Sequence, residues 1–542
     1  MDRSSFFERH SRPLVAVLLL ITAAVYFRSL GNNYLNYDDP QWLAQGRGSV
    51  IHAFISSTLN MYAPLVDLSF RFDAWTGNSA VFSHAFNLFL HLMNVLLVFI
   101  FIKRISKNEV AFFTAAMFAL YPGGVDSVGW VSTRSNLMFT FFFLLSLVFY
   151  TEYVLNKSKF IFAICLLLFI CSCLCKSAAV ALPVILLLLD HLMARKLNWN
   201  AIFEKIPFFL VASATIAVAI LCRTDIAQTH SAGEFTLVDK FFMIAYSVAG
   251  YFLELFWPVD LCAIYSYPVK NEGVLPVLYY ISPLFTFAII AWIWAMRKRR
   301  EVLFGGLFFL FSISPCLAGF FEDGYRANRY CYLPYIGLFF LIAGIPTWFP
   351  VKKNLLQTFI GGFLIAFSVL TFLRIPQWKN DLALFTDVIA RQPGNAFAYN
   401  SRGIALYYAG KPDDAIRDYT TAIHLSHDYA EAYSNRGRLY YGMKEFEKAI
   451  DDYNQAIAIN PNSALAYLER GNAEMDGFND NEEAIKDYSE AIRIDPDLVQ
   501  AWYNRGMAEL HLGKNEKACS DLSKVKALGY TQADEILKEN CK

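Results

Sequence analysis

Eleven apolar stretches, each long enough to cross a bilayer, recur through the first 374 residues. No water-soluble core can absorb that many. They lie near 13–30, 82–102, 108–122, 135–155, 159–175, 177–194, 206–222, 275–296, 302–319, 329–349 and 355–374. With 56% hydrophobic residues and a mean hydropathy of +0.35, the chain reads as a polytopic membrane protein. The first stretch has basic flanks, but VYFRSLG carries no small-x-small cleavage signal, so it reads as an uncleaved anchor. A further stretch, 240–257, ends at Trp257-Pro258 and is expected to be re-entrant or interfacial. Counting it as a crossing would put the basic run RKRR at 297–300 on the outer face.

The positive-inside rule then orients the chain. With the N-terminus in the cytoplasm, the inner segments hold 17 basic residues: Arg3, Arg9, Arg12, Lys103, Arg104, Lys107, Lys157, Lys159, Arg195, Lys196, Lys205, Arg297, Lys298, Arg299, Arg300, Lys352 and Lys353. The longer outer segments of 1–380 hold 12. Eleven crossings leave the C-terminal region outside. Short inner loops with an outer domain suit a bacterial inner membrane with that domain in the periplasm; an endoplasmic reticulum membrane would share the topology.

The zero net charge hides two regions. Residues 381–542 carry 27 acidic and 18 basic residues, while 1–380 carry 20 acidic and 29 basic. No long basic run is present, so nucleic acid is not an expected partner. The acidic region repeats with a period of about 34 residues: AYNSRG at 398, AYSNRG at 432, AYLERG at 466 and WYNRG at 502. Ala415-Ile416, Ala449-Ile450, Ala484-Ile485 and Ala518-Cys519 follow in turn, punctuated by Pro393, Pro461 and Pro496. This is the tetratricopeptide pattern of two helices per unit. The expected organisation is a membrane domain over 1–374, a linker and first helix over 375–396, four repeats over 397–533 and a C-terminal cap over 534–542. Arg402, Arg436, Arg470 and Arg505 precede Asp418, Asp452, Asp487 and Asp521 by 16 or 17 residues, the spacing of an ion pair between the two helices of a unit. Ser401, Asn435, Glu469 and Asn504, one place before each arginine, are expected on the inner surface as an acceptor or partner groove. Of the ten cysteines, Cys165, Cys171, Cys173 and Cys175 share one apolar segment and read as small hydrophobes. Cys519 and Cys541, in the repeat region, could pair.

Polar residues near the outer ends of the spans mark candidate chemistry. Asp38 and Asp39, in NYLNYDDPQW, are adjacent carboxylates in an aromatic, membrane-proximal setting. His84, Asn87 and His91 share one helical face, as a cavity wall, a metal site or a packing network. Asp126 and Arg134 flank Trp130, Lys176 marks an outer turn, and Arg326 and Arg329 stand at the mouth of another span. Their shared sidedness points to a polar cavity at the outer leaflet. Transfer of a sugar from a lipid phosphate fits it. The phosphate leaves without a general acid, the acceptor hydroxyl needs a base that a carboxylate supplies, and guanidinium groups stabilise the departing phosphate.

The motifs NYDDP (36–40), YAPL (62–65), HAFNLFLHLMN (84–94), YPGGVDSVGWVSTRSNLM (121–138), KSAAVALPVILLLLD (176–190) and RYCYLPYIGL (329–338), followed by the repeats, resemble the transmembrane and tetratricopeptide-repeat-containing (TMTC) O-mannosyltransferase family and its bacterial relatives. The resemblance covers nearly the whole chain and rests on the order of the motifs. It implies an all-α fold, a polytopic GT-C-like transmembrane helical domain followed by a repeat superhelix, with an acidic base in the first outer loop. On this chain the catalytic positions are Asp38 and Asp39, with Asp38 favoured as base. Arg326 and Arg329 are the expected donor-phosphate ligands; His84, Asn87, His91, Asp126, Arg134 and Lys176 are expected to line the cavity. The chain departs from the family at Ala63, Tyr121, Ser177 and Asn328, where the family tends to have arginine, histidine, glutamate or proline, and an acid.

The expected activity is inverting transfer of a monosaccharide from a polyprenyl-phosphate-sugar donor to a protein or glycan hydroxyl. The membrane supplies the lipid donor and the repeats recruit the acceptor. No cofactor is implied; a divalent metal is compatible with the acid pair but not predicted. Two rival readings are a non-catalytic membrane scaffold that displays repeats and an O-antigen ligase or polymerase. The outer segment 320–328 is short for the large loop the latter needs. A transporter would need sustained mid-span charge, which the sequence lacks.

Overall fold

A computed structural model describes residues 3–46, 48–196, 198–222, 235–270, 273–317, 325–349 and 353–541. Lys352 and residues 320–324 of the short outer segment lie outside the described residues. The chain divides into two compact units, Met1–Gln392 and Pro393–Lys542. Among the described residues both are helical, with isolated β-bridges but no named strand.

Numbering the long helices in chain order, the first unit contains α1 (Arg3–Tyr26), α2 (Ala80–Ile105), α3 (Asn108–Leu120), α4 (Arg134–Asn156), α5 (Lys159–Cys173) and α6 (Leu182–Leu192). It continues with α7 (Ile206–Leu221), α8 (Leu237–Phe256), α9 (Val277–Ala295), α10 (Arg300–Leu317), α11 (Tyr335–Trp348), α12 (Lys353–Arg374) and α13 (Asp381–Arg391). A helix stands at each of the eleven apolar stretches. Seven are long and apolar enough to cross a membrane, and α3, α5, α6 and α11 belong to shorter apolar helices. Ser79 and Ser158 start α2 and α5 by accepting from the amides of Phe82 and Ile161, which satisfies otherwise orphaned first-turn donors. α2, α3 and α4 form the interior, while α1, α7, α9 and α12 leave Leu20, Leu210, Leu284 and Ile365 exposed.

The polar groups of this unit gather at two ends of the same helices. Arg134 opens α4, and Tyr150 lies about 24 Å farther along its axis at 1.5 Å per residue. At the Tyr150 end, Lys205 meets Asp190 at 2.5 Å. Tyr150 donates to the same carboxylate at 2.7 Å, and Arg195 joins Asp190 to Glu204. Arg104 and Glu152 pair beside them. The acidic loop and the remaining candidate residues lie at the Arg134 end.

The stretch expected to be re-entrant or interfacial is one unbroken 20-residue helix, α8, so it does not turn back within itself. Its charges sit at its ends, where Asp239 pairs with Lys270 and Glu254 accepts from Tyr265. Residues 375–392, expected to lead into the repeats, pack within the first unit. Asn33 N–H donates to Lys379 O at 2.9 Å, and Trp378 is buried.

The second unit is built from four helix pairs. These are α14 (Ala396–Tyr408) with α15 (Pro412–Leu425), α16 (Ala430–Gly442) with α17 (Phe446–Ile459), α18 (Ala464–Phe478) with α19 (Asn481–Ile494), and α20 (Val499–His511) with α21 (Asn515–Ala527). The short α22 (Asp534–Asn540) closes the unit. Each pair is fastened by the bidentate ion pair that the spacing predicts, for example Arg470 on Asp487 at 2.8 and 2.6 Å. Arg402–Asp418, Arg436–Asp452 and Arg505–Asp521 repeat it. The glycine after the arginine has its own reason. A Cβ on Gly403 would stand 2.6 Å from the buried Tyr419 ring, and one on Gly437 or Gly471 would stand 2.9 Å from Tyr453 or Tyr488. In the fourth pair Leu522 replaces the tyrosine and the approach relaxes to 3.2 Å. A Cys519–Cys541 disulfide ties α21 to the residue that follows α22.

Candidate active site

The two adjacent carboxylates have opposite environments. Asp39 opens a short helix, Asp39–Gln45, and is fully buried. Its carboxylate accepts from Leu35 N–H at 2.7 Å, from Ser132 N–H at 2.9 Å and from the Ser132 hydroxyl. Burial pushes its pKa up to about 6, against the pull of the Ser132 and Leu35 hydrogen bonds. Asp38, the N-cap residue of that helix, is half-buried, and its side chain makes no capping bond. It lies close enough to Arg329 to act on that guanidinium electrostatically. The acid pair therefore holds one fully buried carboxylate and one half-buried carboxylate beside Arg329.

An aromatic stack carries the loop. Tyr37 stacks on Trp130 at 5.5 Å and Trp130 on Trp378 at 5.5 Å. Asn36 donates from its backbone and its side chain to Asp381 of α13, at 2.9 Å each. Tyr37 also meets Phe385 edge-on at 6.3 Å. Neither Trp378 nor Asp381 stands out in the sequence, since both fall in a segment that reads as a linker.

The expected cations separate into two groups. Arg326 is buried, with its charge matched by Glu254 at 2.5 Å and its guanidinium over the rings of Tyr251 and Tyr265. A Cβ on Gly250 would fall 2.4 Å from its Nη1, so that glycine makes the room for it. Arg326, expected as a donor-phosphate ligand, thus already has a carboxylate partner. Arg134 is likewise fully buried, bonded to both carboxylate oxygens of Asp73 and lying over the Phe70 ring at 4.1 Å. Asp126 pairs with Arg374 at 3.0 Å, and burial raises its pKa against that cation. Arg134 and Asp126 thus flank Trp130 in sequence but hold different partners.

Lys176 and Arg329 differ from these. Both are half-buried, and among the described residues neither forms an ion pair. The Lys176 ammonium donates to Asn136 Oδ1 and lies 5.8 Å from the centre of the Tyr330 ring. The Arg329 guanidinium lies 5.3 Å from the same ring and 5.1 Å from that of Trp130. Burial brings the Lys176 pKa down to about 8, and Arg329 adds to the lowering.

His84, Asn87 and His91 are buried. Asn87 accepts from Arg134 Nε and donates to Trp130 O, both at 3.1 Å. His91 bonds the Tyr332 hydroxyl at 2.7 Å and Ala119 O at 3.2 Å. His84 reaches Asn33 O at 3.4 Å. Each of the three is thus hydrogen-bonded to a different part of the fold. Among the described residues no three His, Cys, Asp or Glu side chains converge as metal ligands.

In the second unit, Asn435 donates to Asn400 at 2.9 Å and Asn504 to Asn472 at 2.7 Å. Glu469 pairs with Arg438 at 2.8 Å, and Ser401 is half-buried. Two of the expected groove positions, Asn435 and Asn504, are thus bonded to Asn400 and Asn472, which the repeat pattern does not single out.

Known proteins resemble both units. Residues 430–463 match the family model described as tetratricopeptide repeat, and residues 403–444 and 479–518 match one described as TPR repeat. The second unit is a tetratricopeptide-repeat array. Over 469 residues the chain is 25% identical to "Protein O-mannosyl-transferase F38B6.6" of Caenorhabditis elegans, covering 79% of this chain and 65% of that protein. It is 24% identical over 422 residues to "Protein O-mannosyl-transferase TMTC4" of Homo sapiens, covering 66% of this chain and 57% of that one. The chain is therefore similar to TMTC-type proteins and spans less than two thirds of the length of each. A crystal structure of MamA is similar over 28% of this chain and 89% of its own, at 27% identity and a TM-score of 0.26.

Proposed function

We propose that the chain is a membrane glycosyltransferase that moves a monosaccharide, mannose by analogy with the relatives' names, from a polyprenyl-phosphate donor to a protein hydroxyl. The observation that carries the reading is the division of the acid pair. Asp39 is buried and fully bonded, so it positions the loop. Asp38 stays accessible beside a cation and is the base. In the step, Asp38 takes the proton as the acceptor oxygen bonds to the anomeric carbon. The bond from that carbon to the phosphate oxygen breaks, and polyprenyl phosphate departs with the electron pair. One displacement inverts the anomeric centre. Purified protein given polyprenyl-phosphate-linked mannose and a Ser/Thr acceptor peptide should yield a mannoside of configuration opposite to the donor's. Retention would count against a single displacement, and no transfer against the donor assignment. The repeats recruit the acceptor, along the surface that carries Ser401, Asn435, Glu469 and Asn504.

The site faces the compartment outside the cytoplasm, reached by eleven crossings with α8 lying along that face. Both ends of α8 support this. Asp239 and Glu254 are tied to Lys270 and Tyr265, which five residues of chain keep within about 18 Å of each other. The Cys519–Cys541 disulfide suits an oxidising compartment for the repeats. In a Cys519→Ser variant, a membrane-impermeant maleimide added to intact cells should label Cys541. Labelling in membrane vesicles that expose the cytoplasmic face, and not in those that expose the opposite face, would reverse the topology.

A further inference from the structure

We infer that Lys176 and Arg329, held by Asn136 and Tyr330, form a phosphate site beside Asp38, and that it takes the phosphate of a prenyl-phosphate headgroup. The inference rests on the proposed lipid-phosphate donor and assigns its anionic group to residues. What distinguishes the two cations is their lack of a matching carboxylate. The buried cations Arg134, Arg326, Arg374 and Lys205 each face one: Asp73, Glu254, Asp126 and Asp190. Lys176 and Arg329 do not, although Lys176 feels the charge of Arg329. The carboxylates that reach Arg329 electrostatically are Asp126, already bonded to Arg374, and Asp38.

Two like charges held together in a partly desolvated place are costly unless an anion sits with them. The fold nonetheless holds them there. Asn136, itself buried, accepts from Lys176 and donates to Arg329 O at 3.3 Å. The lysine is a point charge and the guanidinium a planar fork, so the pair offers donors from two directions to one tetrahedral group. Both side chains remain half-buried rather than sealed, so a ligand can reach them. Arg329 then links the leaving group to the base.

The test is binding of polyprenyl monophosphate, the departing product, to full-length protein in nanodiscs, with no sugar or acceptor present. Lys176→Met and Arg329→Met should each weaken binding by about tenfold to a hundredfold, the size of a lost charge-assisted hydrogen bond. Asp38→Asn should bind at least as well as wild type. A second readout separates a ligand role from a packing role. The groups facing Lys176 are the Cys316 thiol, the Arg329 guanidinium and the Tyr330 ring. With its pKa lowered to about 8, Lys176 loses its proton as pH rises, so wild-type affinity should fall about tenfold between pH 7 and pH 9. Lys176→Arg should stay flat over that range, and a Cys316→Ser control should follow wild type. Binding that the two methionine variants leave unchanged would overturn the site while leaving the donor assignment standing. No binding by wild type would overturn both. Competition by inorganic phosphate at equal concentration would support the cation pair and move its ligand to a soluble phosphate.

Discussion

Asp38→Asn should lower transfer per folded molecule by about two to four orders of magnitude, the usual weight of a general base. Asp39→Ala should do the reverse in order of cause. It strands the Leu35 amide and both Ser132 donors in a buried place, at about 1–3 kcal/mol for each unsatisfied group. The protein should melt earlier, and activity should fall with the folded fraction. Scanning fluorimetry beside a transfer assay separates the two. The account fails if Asp38→Asn turns over like wild type, or if Asp39→Ala melts like wild type and alone abolishes transfer.

Arg134→Met should be strongly destabilising. The guanidinium and the Asp73 carboxylate are both without solvent exposure, and removing one partner of such a pair costs about 3–5 kcal/mol. The Asp73 carboxylate keeps a donor from the Ser83 hydroxyl, but loses its counter-charge. The double variant Arg134→Met/Asp73→Leu should recover part of the loss, because an apolar pair leaves no buried charge. Expression level and melting temperature read both effects. A single variant as stable as wild type would mean that the buried Arg134–Asp73 pair adds nothing net to the fold.

Helix positions were legible because apolar length is a one-dimensional signal, and each apolar stretch contains a helix. The repeats were legible for a related reason. A period of about 34 residues carries the Arg–Asp pairs in all four units and the Gly–Tyr contacts in the first three. The candidate site was legible as a set of residues but not as a set of partnerships. Which of two neighbouring aspartates is buried depends on Ser132, 93 residues away. Arg134 finds its carboxylate 61 residues back, and Asp126 finds its cation 248 residues on. No local pattern encodes such pairings. The same limit leaves Arg326 and Arg329 alike in sequence, because Glu254, which pairs with Arg326, lies on α8, 72 residues back.

The most direct measurement is mass spectrometry of hexose-modified peptides from extracytoplasmic proteins. Cells lacking this protein would be complemented with wild type or with Asp38→Asn at matched abundance. The account predicts that wild type restores a defined set of Ser/Thr hexosylated peptides and that Asp38→Asn restores none. Equal restoration by the two would make the acidic loop structural and contradict the assignment of the base. No modified peptide in any strain would contradict a protein acceptor altogether.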